Sequence, residues 1–148
     1  IHTMLAVLES GSTARSDRTA DQLRWAQAVV SLRPANKVGW RSLGRAYWDR
    51  GRLDEAVRCY RRAVRLDPRD PNSWAQLSAV LLRVHDPEAA LDAADRALAL
   101  NPEFPYGHAV RGSVLQRVGR YPDALREFDL AIEYDSRDGM ESSGNFNN

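Results

Sequence analysis

Apolar residues recur along this chain at helical spacing, in short blocks separated by turn residues. From Lys37 to Arg50, the residues Trp40, Leu43, Gly44 and Tyr47 stand at i, i+3, i+4 and i+7, which puts them on one stripe of a helix. Gly51 follows, the residue that most cheaply takes the left-handed conformation closing a helix. A second helix is predicted over Leu53 to Leu66, apolar at Ala56, Val57, Tyr60, Ala63 and Val64. Asp70-Pro71 and Asp86-Pro87 each set an acidic N-cap before proline at the first helical position. Gly119 and Pro122 bracket a later turn, and a last helix is predicted from Tyr121 to Tyr134 with apolar Leu125, Phe128 and Ile132.

Laid on itself, the chain repeats every 34 residues: Trp40, Trp74 and His108 form one column, and Ala56, Ala90 and Ala124 a second. Ala63, Ala97 and Ala131 form a third column, and Pro34, Pro68 and Pro102 a fourth. These columns set three helix–turn–helix repeats over 37–70, 71–104 and 105–138. Small residues at Gly44, Ala56 and Ala63 let the two helices of a hairpin approach closely, while Trp40, Leu43, Tyr47 and Tyr60 fill the space around the crossing. Residues 1–36 are expected to form an irregular or partial repeat, because Thr19 to Pro34 aligns with a second helix through Leu23, Ala26, Val29 and Val30. Ile1, Met4, Leu5 and Leu8 have helical spacing, and Gly11-Ser12-Thr13 is predicted to end that helix early, giving a shortened hairpin. Residues 139–148 are polar and rich in Gly, Ser and Asn, and are expected to be a flexible tail. Neither end reads as finished, so a longer parent protein is expected.

The first period resembles a tetratricopeptide repeat with its signature positions filled by Trp40, Leu43, Gly44, Tyr47, Ala56, Tyr60, Ala63 and Pro68. The second keeps Trp74, Leu77, Ala90, Ala97 and Pro102 but carries Ser78, Leu81 and Ala94 at other signature positions. The third keeps Gly112, Ala124, Phe128 and Ala131 and departs at His108, Arg111, Leu115 and Ser136. The resemblance covers residues 19–138 and implies an all-α fold, a right-handed superhelical stack of antiparallel hairpins whose function is to bind another protein.

Composition narrows the rest. Twenty-one basic and twenty acidic residues leave a net charge of +1, which argues against a dedicated nucleic-acid or membrane-surface binder. One cysteine, Cys59, makes an internal disulfide framework impossible, and no apolar run is long enough to cross a membrane, so a cytoplasmic location is expected. His2, His85 and His108 are scattered with no metal-ligand spacing, and no phosphate loop, nucleophile elbow or zinc-protease motif is present. His108, in the tryptophan column, reads as a half-buried packing residue, and Cys59 as a structural thiol. No catalytic residue, metal site or cofactor is expected.

The resemblance assigns the ligand groove to the first helix of each repeat. In the first period this selects Arg41, Arg45 and Trp48 beside Val38, Ser42 and Asp49. In the second it selects Asn72, Gln76, Leu82 and Arg83, and in the third Tyr106 and Arg117, with small Ala75, Ala79, Ala109 and Ser113 leaving room. Helical spacing independently puts each set on one face. Four arginines and one acid in this strip suggest a partner peptide or helix of acidic character, bound by charge-assisted hydrogen bonds and aromatic anchors; solvated arginines are the alternative. The family's clamp for chaperone C-terminal carboxylates is not reproduced, since its positions hold Arg41, Arg45, Gln76, Tyr106 and Val110, and its asparagine ladder is replaced by Ser42, Gln76 and Val110. Two further readings stand beside the interaction module: a scaffold that forms homo-oligomers through its uncapped C-terminal helix, and a regulatory appendage of a larger multidomain enzyme.

Overall fold

The turn inside each hairpin is one hydrogen-bonded pattern repeated at the 34-residue period. The computed structural model describes the backbone of residues 2–144 and the side chains of residues 17–139. Gly51 N–H donates to Trp48 O and Arg52 N–H to Tyr47 O; His85 and Asp86 make the same pair to Leu82 and Leu81, and Gly119 and Arg120 to Gln116 and Leu115. This is the Schellman closure, which satisfies two carbonyls left over at a helix end and needs a left-handed residue. Gly51 and Gly119 supply it at φ 74° and 85°. His85 takes the same conformation at φ 63° although it carries a Cβ. Left-handed backbone costs a non-glycine residue about 1–2 kcal/mol. His85→Gly is therefore expected to stabilise the protein by about 1 kcal/mol after the entropy glycine adds to the unfolded chain. A chemical-denaturation midpoint that fell instead would show that the imidazole makes a compensating contact.

The described residues form seven helices and no strand: α1 (His2–Leu32), α2 (Lys37–Asp49), α3 (Leu53–Leu66), α4 (Pro71–Arg83), α5 (Pro87–Leu100), α6 (Pro105–Arg117) and α7 (Tyr121–Gly144). Asn36, Asp70 and Asp86 cap their helices by accepting from Val38, Asn72 and Ala89 N–H. Phe104, in the same column as Asn36 and Asp70, gives no side-chain cap. The alpha helices fall where the 34-residue columns put them, because caps, turns and apolar stripes all agree locally.

The chain divides into two compact units, residues 1–66 and 67–148. In the first, α2 packs against both α1 and α3, around Leu23, Ala26, Leu43, Ala46 and Cys59. In the second, α4 pairs with α5 and α6 with α7, while α6 also packs on α5 and α4. Ala75, Val80, Ala90, Ala94, Ala97, Val114 and Leu115 are completely covered there. Each large apolar side chain so buried contributes roughly 1.5–3 kcal/mol, which short helices lack on their own.

The glycine and aromatic columns are matched in volume. A Cβ on Gly44 would stand 3.0 Å from Cζ of Tyr60, and one on Gly112 2.9 Å from Cε1 of Phe128. In the middle repeat Ser78 replaces the glycine and Ala94 the aromatic residue; both are fully buried, and Ser78 Oγ donates to Ala90 O.

Two expectations are corrected. Gly11-Ser12-Thr13 does not break the chain into a shortened hairpin: α1 is one continuous helix of 31 residues. A single glycine costs a helix only about 1 kcal/mol relative to alanine, and Ala, Leu, Glu and Arg on either side favour continuation. Nor does helix end at Tyr134 before a flexible tail, since α7 runs on to Gly144; residues 145–148 of the expected tail lie outside the described residues.

Candidate functional site

Each first helix presents one polar stripe away from its hairpin partner. On α2 that stripe carries Arg41 and Trp48, both half-buried, and exposed Arg45. Arg45 Nε lies 3.2 Å from Oδ1 of Asp49, so part of its charge is neutralised one turn away. These three belong to the first unit.

In the second unit α4 and α6 pack side by side, bringing their stripes together. Asn72 and Arg83 of α4 and Tyr106 and Arg117 of α6 are exposed, and Gln76 of α4 is half-buried. Leu82 is only 9% exposed and offers little surface. The Gln76 amide oxygen is buried and has no hydrogen-bond donor. Such a group costs about 1–3 kcal/mol while it stays unpaired. Arg83 closes α4 and Arg117 closes α6, where a cation also complements the helix dipole. Neither helix contains an aspartate or glutamate.

Tyr106 stands edge-on to Phe104, ring centres 6.1 Å apart, and lines a shallow cleft of about 360 Å³ with Pro105, Ala109, Ala131, Ile132 and Asp135. Ile132 and Asp135 were not among the sequence candidates. They sit on α7, a second helix, and only the alanine column at Ala131 hinted that the wall there would be low. Leu125 and Ile132 of α7 are 62% and 67% exposed, while Phe128 fits against Gly112.

A part-buried polar cluster lies elsewhere in the same unit. His108 repeats the geometry of the tryptophans it replaces. Trp40 and Trp74 donate to Pro34 O and Pro68 O at 2.7 and 2.8 Å, and His108 Nε2 lies 2.7 Å from Pro102 O. Its Nδ1 is 2.7 Å from a Glu127 carboxylate oxygen, and Arg111 bridges Glu127 to Asp95. Burial alone would make the Arg111 guanidinium easier to deprotonate; its bonds to Asp95 and the charge of Glu127 outweigh this and raise its pKa. His108 is 7% exposed, more deeply placed than a half-buried packing residue.

Cys59 is buried, and burial followed by the nearby charge of Glu55 raises its thiol pKa to about 11. A thiol held protonated is a poor nucleophile. Among the described residues no group of three or more His, Cys, Asp or Glu could hold a metal ion, and no helix is long and apolar enough to cross a membrane.

A family model described as TPR repeat matches residues 44–84, and one described as Tetratricopeptide repeat matches residues 76–140. No curated protein matches the sequence. Among solved structures, a crystal structure of MamA is similar at 18% identity and TM-score 0.71, covering 82% of this chain and 71% of that one. The first TPR of Spaghetti (RPAP3), bound to the HSP90 peptide SRMEEVD, is similar at 21% identity and TM-score 0.64, over 68% of this chain and 79% of that one. The second TPR of the same protein, bound to the same peptide, gives 19% identity and TM-score 0.63, over 66% and 91%.

Proposed function

Because the chain belongs to the tetratricopeptide-repeat family, we propose that it is a protein-interaction module whose α4/α6 face takes an acidic segment of a partner. The family is typically non-catalytic, and its fold serves protein–protein contact. One observation carries the finer reading: α4 and α6 together hold Arg83 and Arg117 at the surface and no carboxylate, in a chain whose net charge is only +1. Arg83 and Arg117 stand at the surface on matching positions, each able to meet a carboxylate through two parallel N–H bonds. Exposed Asn72 can bond a peptide group of the partner, and Tyr106 with its cleft fits one apolar side chain. Arg41, Arg45 and Trp48 are a second proposed strip, weaker in net charge because of Asp49.

The same fold carries the peptide SRMEEVD in the two RPAP3 domains. The residues of this chain differ from the chaperone clamp, so acidic character is proposed here without that terminal specificity. A set of acidic peptides and their Glu→Gln counterparts, titrated by fluorescence polarisation, tests the proposal. Arg83→Ala/Arg117→Ala is expected to weaken acidic peptides by about tenfold, some 1.4 kcal/mol, and to flatten the salt dependence. Equal affinity for both peptide sets would discard the acidic preference, and no binding to either would discard this face.

Self-assembly through α7 is the second reading, favoured by the exposure of Leu125 and Ile132.

A further inference from the structure

Net charge over the whole chain conceals two opposite halves. Residues 1–66 hold thirteen basic and six acidic side chains, a balance of +7. Residues 67–148 hold eight and fourteen, a balance of −6. An overall charge near zero therefore does not describe what the first unit attracts, and such asymmetry between halves points to a polyanion on the basic side.

The excess of the first unit is concentrated on α3. Arg58, Arg61, Arg62 and Arg65 stand at i, i+3, i+4 and i+7, within one arc of about 100° around the helix. All four are exposed, while Ala56, Val57, Cys59, Tyr60, Ala63 and Val64 form the buried face that packs on α2. The two acids of this helix lie in its first turn. Glu55 is paired with Arg52 at 2.7 Å, and exposed Asp54 stands one turn before Arg58. Among the described residues Arg58, Arg61 and Arg65 have no acidic partner, and Arg62 lies 5.8 Å over the Trp40 ring. The same positions of the next hairpin hold Asp92, Asp95, Arg96 and Ala99, so the repeat does not itself require arginine there.

This face has charge and no apolar anchor, since none of the apolar residues of α3 is exposed. Protein interfaces centre on aromatic or aliphatic side chains and are poor in charge at that centre. A helix lying on a membrane buries an apolar face, which α3 has already given to α2. A phosphodiester backbone needs neither. Arg58 to Arg65 spans about 10 Å of helix, and duplex DNA presents one phosphate about every 1.7 Å of its axis. Several phosphates therefore lie within reach of the four guanidiniums, each of which can hold phosphate oxygens through parallel N–H bonds.

We propose that the outer face of α3 binds the phosphate backbone of duplex nucleic acid through Arg58, Arg61, Arg62 and Arg65, without reading base sequence. The test is fluorescence anisotropy of a labelled DNA duplex titrated with the full chain between about 50 and 200 mM salt. Each phosphate neutralised adds about −0.9 to the slope of log affinity against log salt, so four contacts give a slope of about −3 to −4. Arg58→Gln/Arg61→Gln/Arg65→Gln, which leaves Arg62 on Trp40, is expected to bring the slope to about −1 and to weaken binding about tenfold or more at the low salt. Glutamine and arginine have similar helix propensity, so the variant keeps its circular dichroism and melting. A duplex of shuffled sequence is expected to bind equally, and Arg83→Ala/Arg117→Ala to bind the duplex as the parent does, which separates this face from the peptide face. No binding at the low salt, or a triple variant with the parental slope, would overturn the proposal. So would tighter binding to poly-glutamate or to vesicles of anionic phospholipid than to the duplex.

Discussion

Tyr60→Ala is expected to destabilise the protein by about 3–5 kcal/mol, the usual loss for removing a fully buried aromatic side chain. Tyr60 is 1% exposed, and its ring fills the space that Gly44 leaves open. The converse change, Gly44→Ser, gains helix propensity but drives a Cβ to within 3.0–3.2 Å of three ring atoms. It is expected to cost about 1–3 kcal/mol by overpacking. The decisive protein carries both changes, because it copies the Ser78 and Ala94 pair of the following repeat. Space vacated by the ring receives the serine, whose hydroxyl can reach the carbonyl of Ala56 as Ser78 reaches that of Ala90. Urea denaturation of the four proteins should therefore show a double variant at least 1 kcal/mol more stable than additivity allows. Strict additivity would mean that the two columns vary independently.

The second large effect concerns Glu127. Its carboxylate joins His108 of α6 and, through Arg111, Asp95 of α5. Glu127→Ala should cost about 2–3 kcal/mol, somewhat below the 3–5 kcal/mol of a wholly buried ion pair, because Arg111 retains some solvent and its bond to Asp95. The 34-residue columns suggest the repair. Where this repeat has His108, Arg111 and Glu127, the first has Trp40, Leu43 and Cys59 and the second Trp74, Leu77 and Ala93. The triple variant His108→Trp/Arg111→Leu/Glu127→Ala is expected to match or exceed the parent in thermal midpoint, since packed apolar groups avoid the desolvation of a buried charge network. A triple variant no more stable than Glu127→Ala alone would show that the backbone of this hairpin has adapted to the polar set.

These two cases separate what could be read from residues from what could not. The glycine–aromatic exchange was visible as paired columns, since both partners lie within one hairpin at a constant offset. His108 was correctly placed in the tryptophan column, but its partners were not legible. Glu127 and Asp95 lie on two different helices flanking α6, and nothing in local spacing says which acids will reach a given arginine. The candidate binding residues divide in the same way. Asn72, Gln76, Arg83, Tyr106 and Arg117 could be named from the repeat register, whereas the burial of Leu82, the undonated oxygen of Gln76 and the cleft beside Ile132 depend on neighbours.

By itself the sequence determined the all-α class, the 34-residue period, the hairpin turns and the face each first helix presents. Those follow from interactions spanning a few residues: caps, left-handed closures and stripes of apolar side chains repeating at 3.6 residues per turn. Only the tertiary structure decided that α1 is continuous, that α7 extends to Gly144, and that His108, Arg111 and Glu127 form an ionic cluster in the third hairpin. In each of these the local preference was weak or divided. One glycine in α1 does not decide between a turn and a helix, and a polar residue in an apolar column does not name the group that will satisfy it.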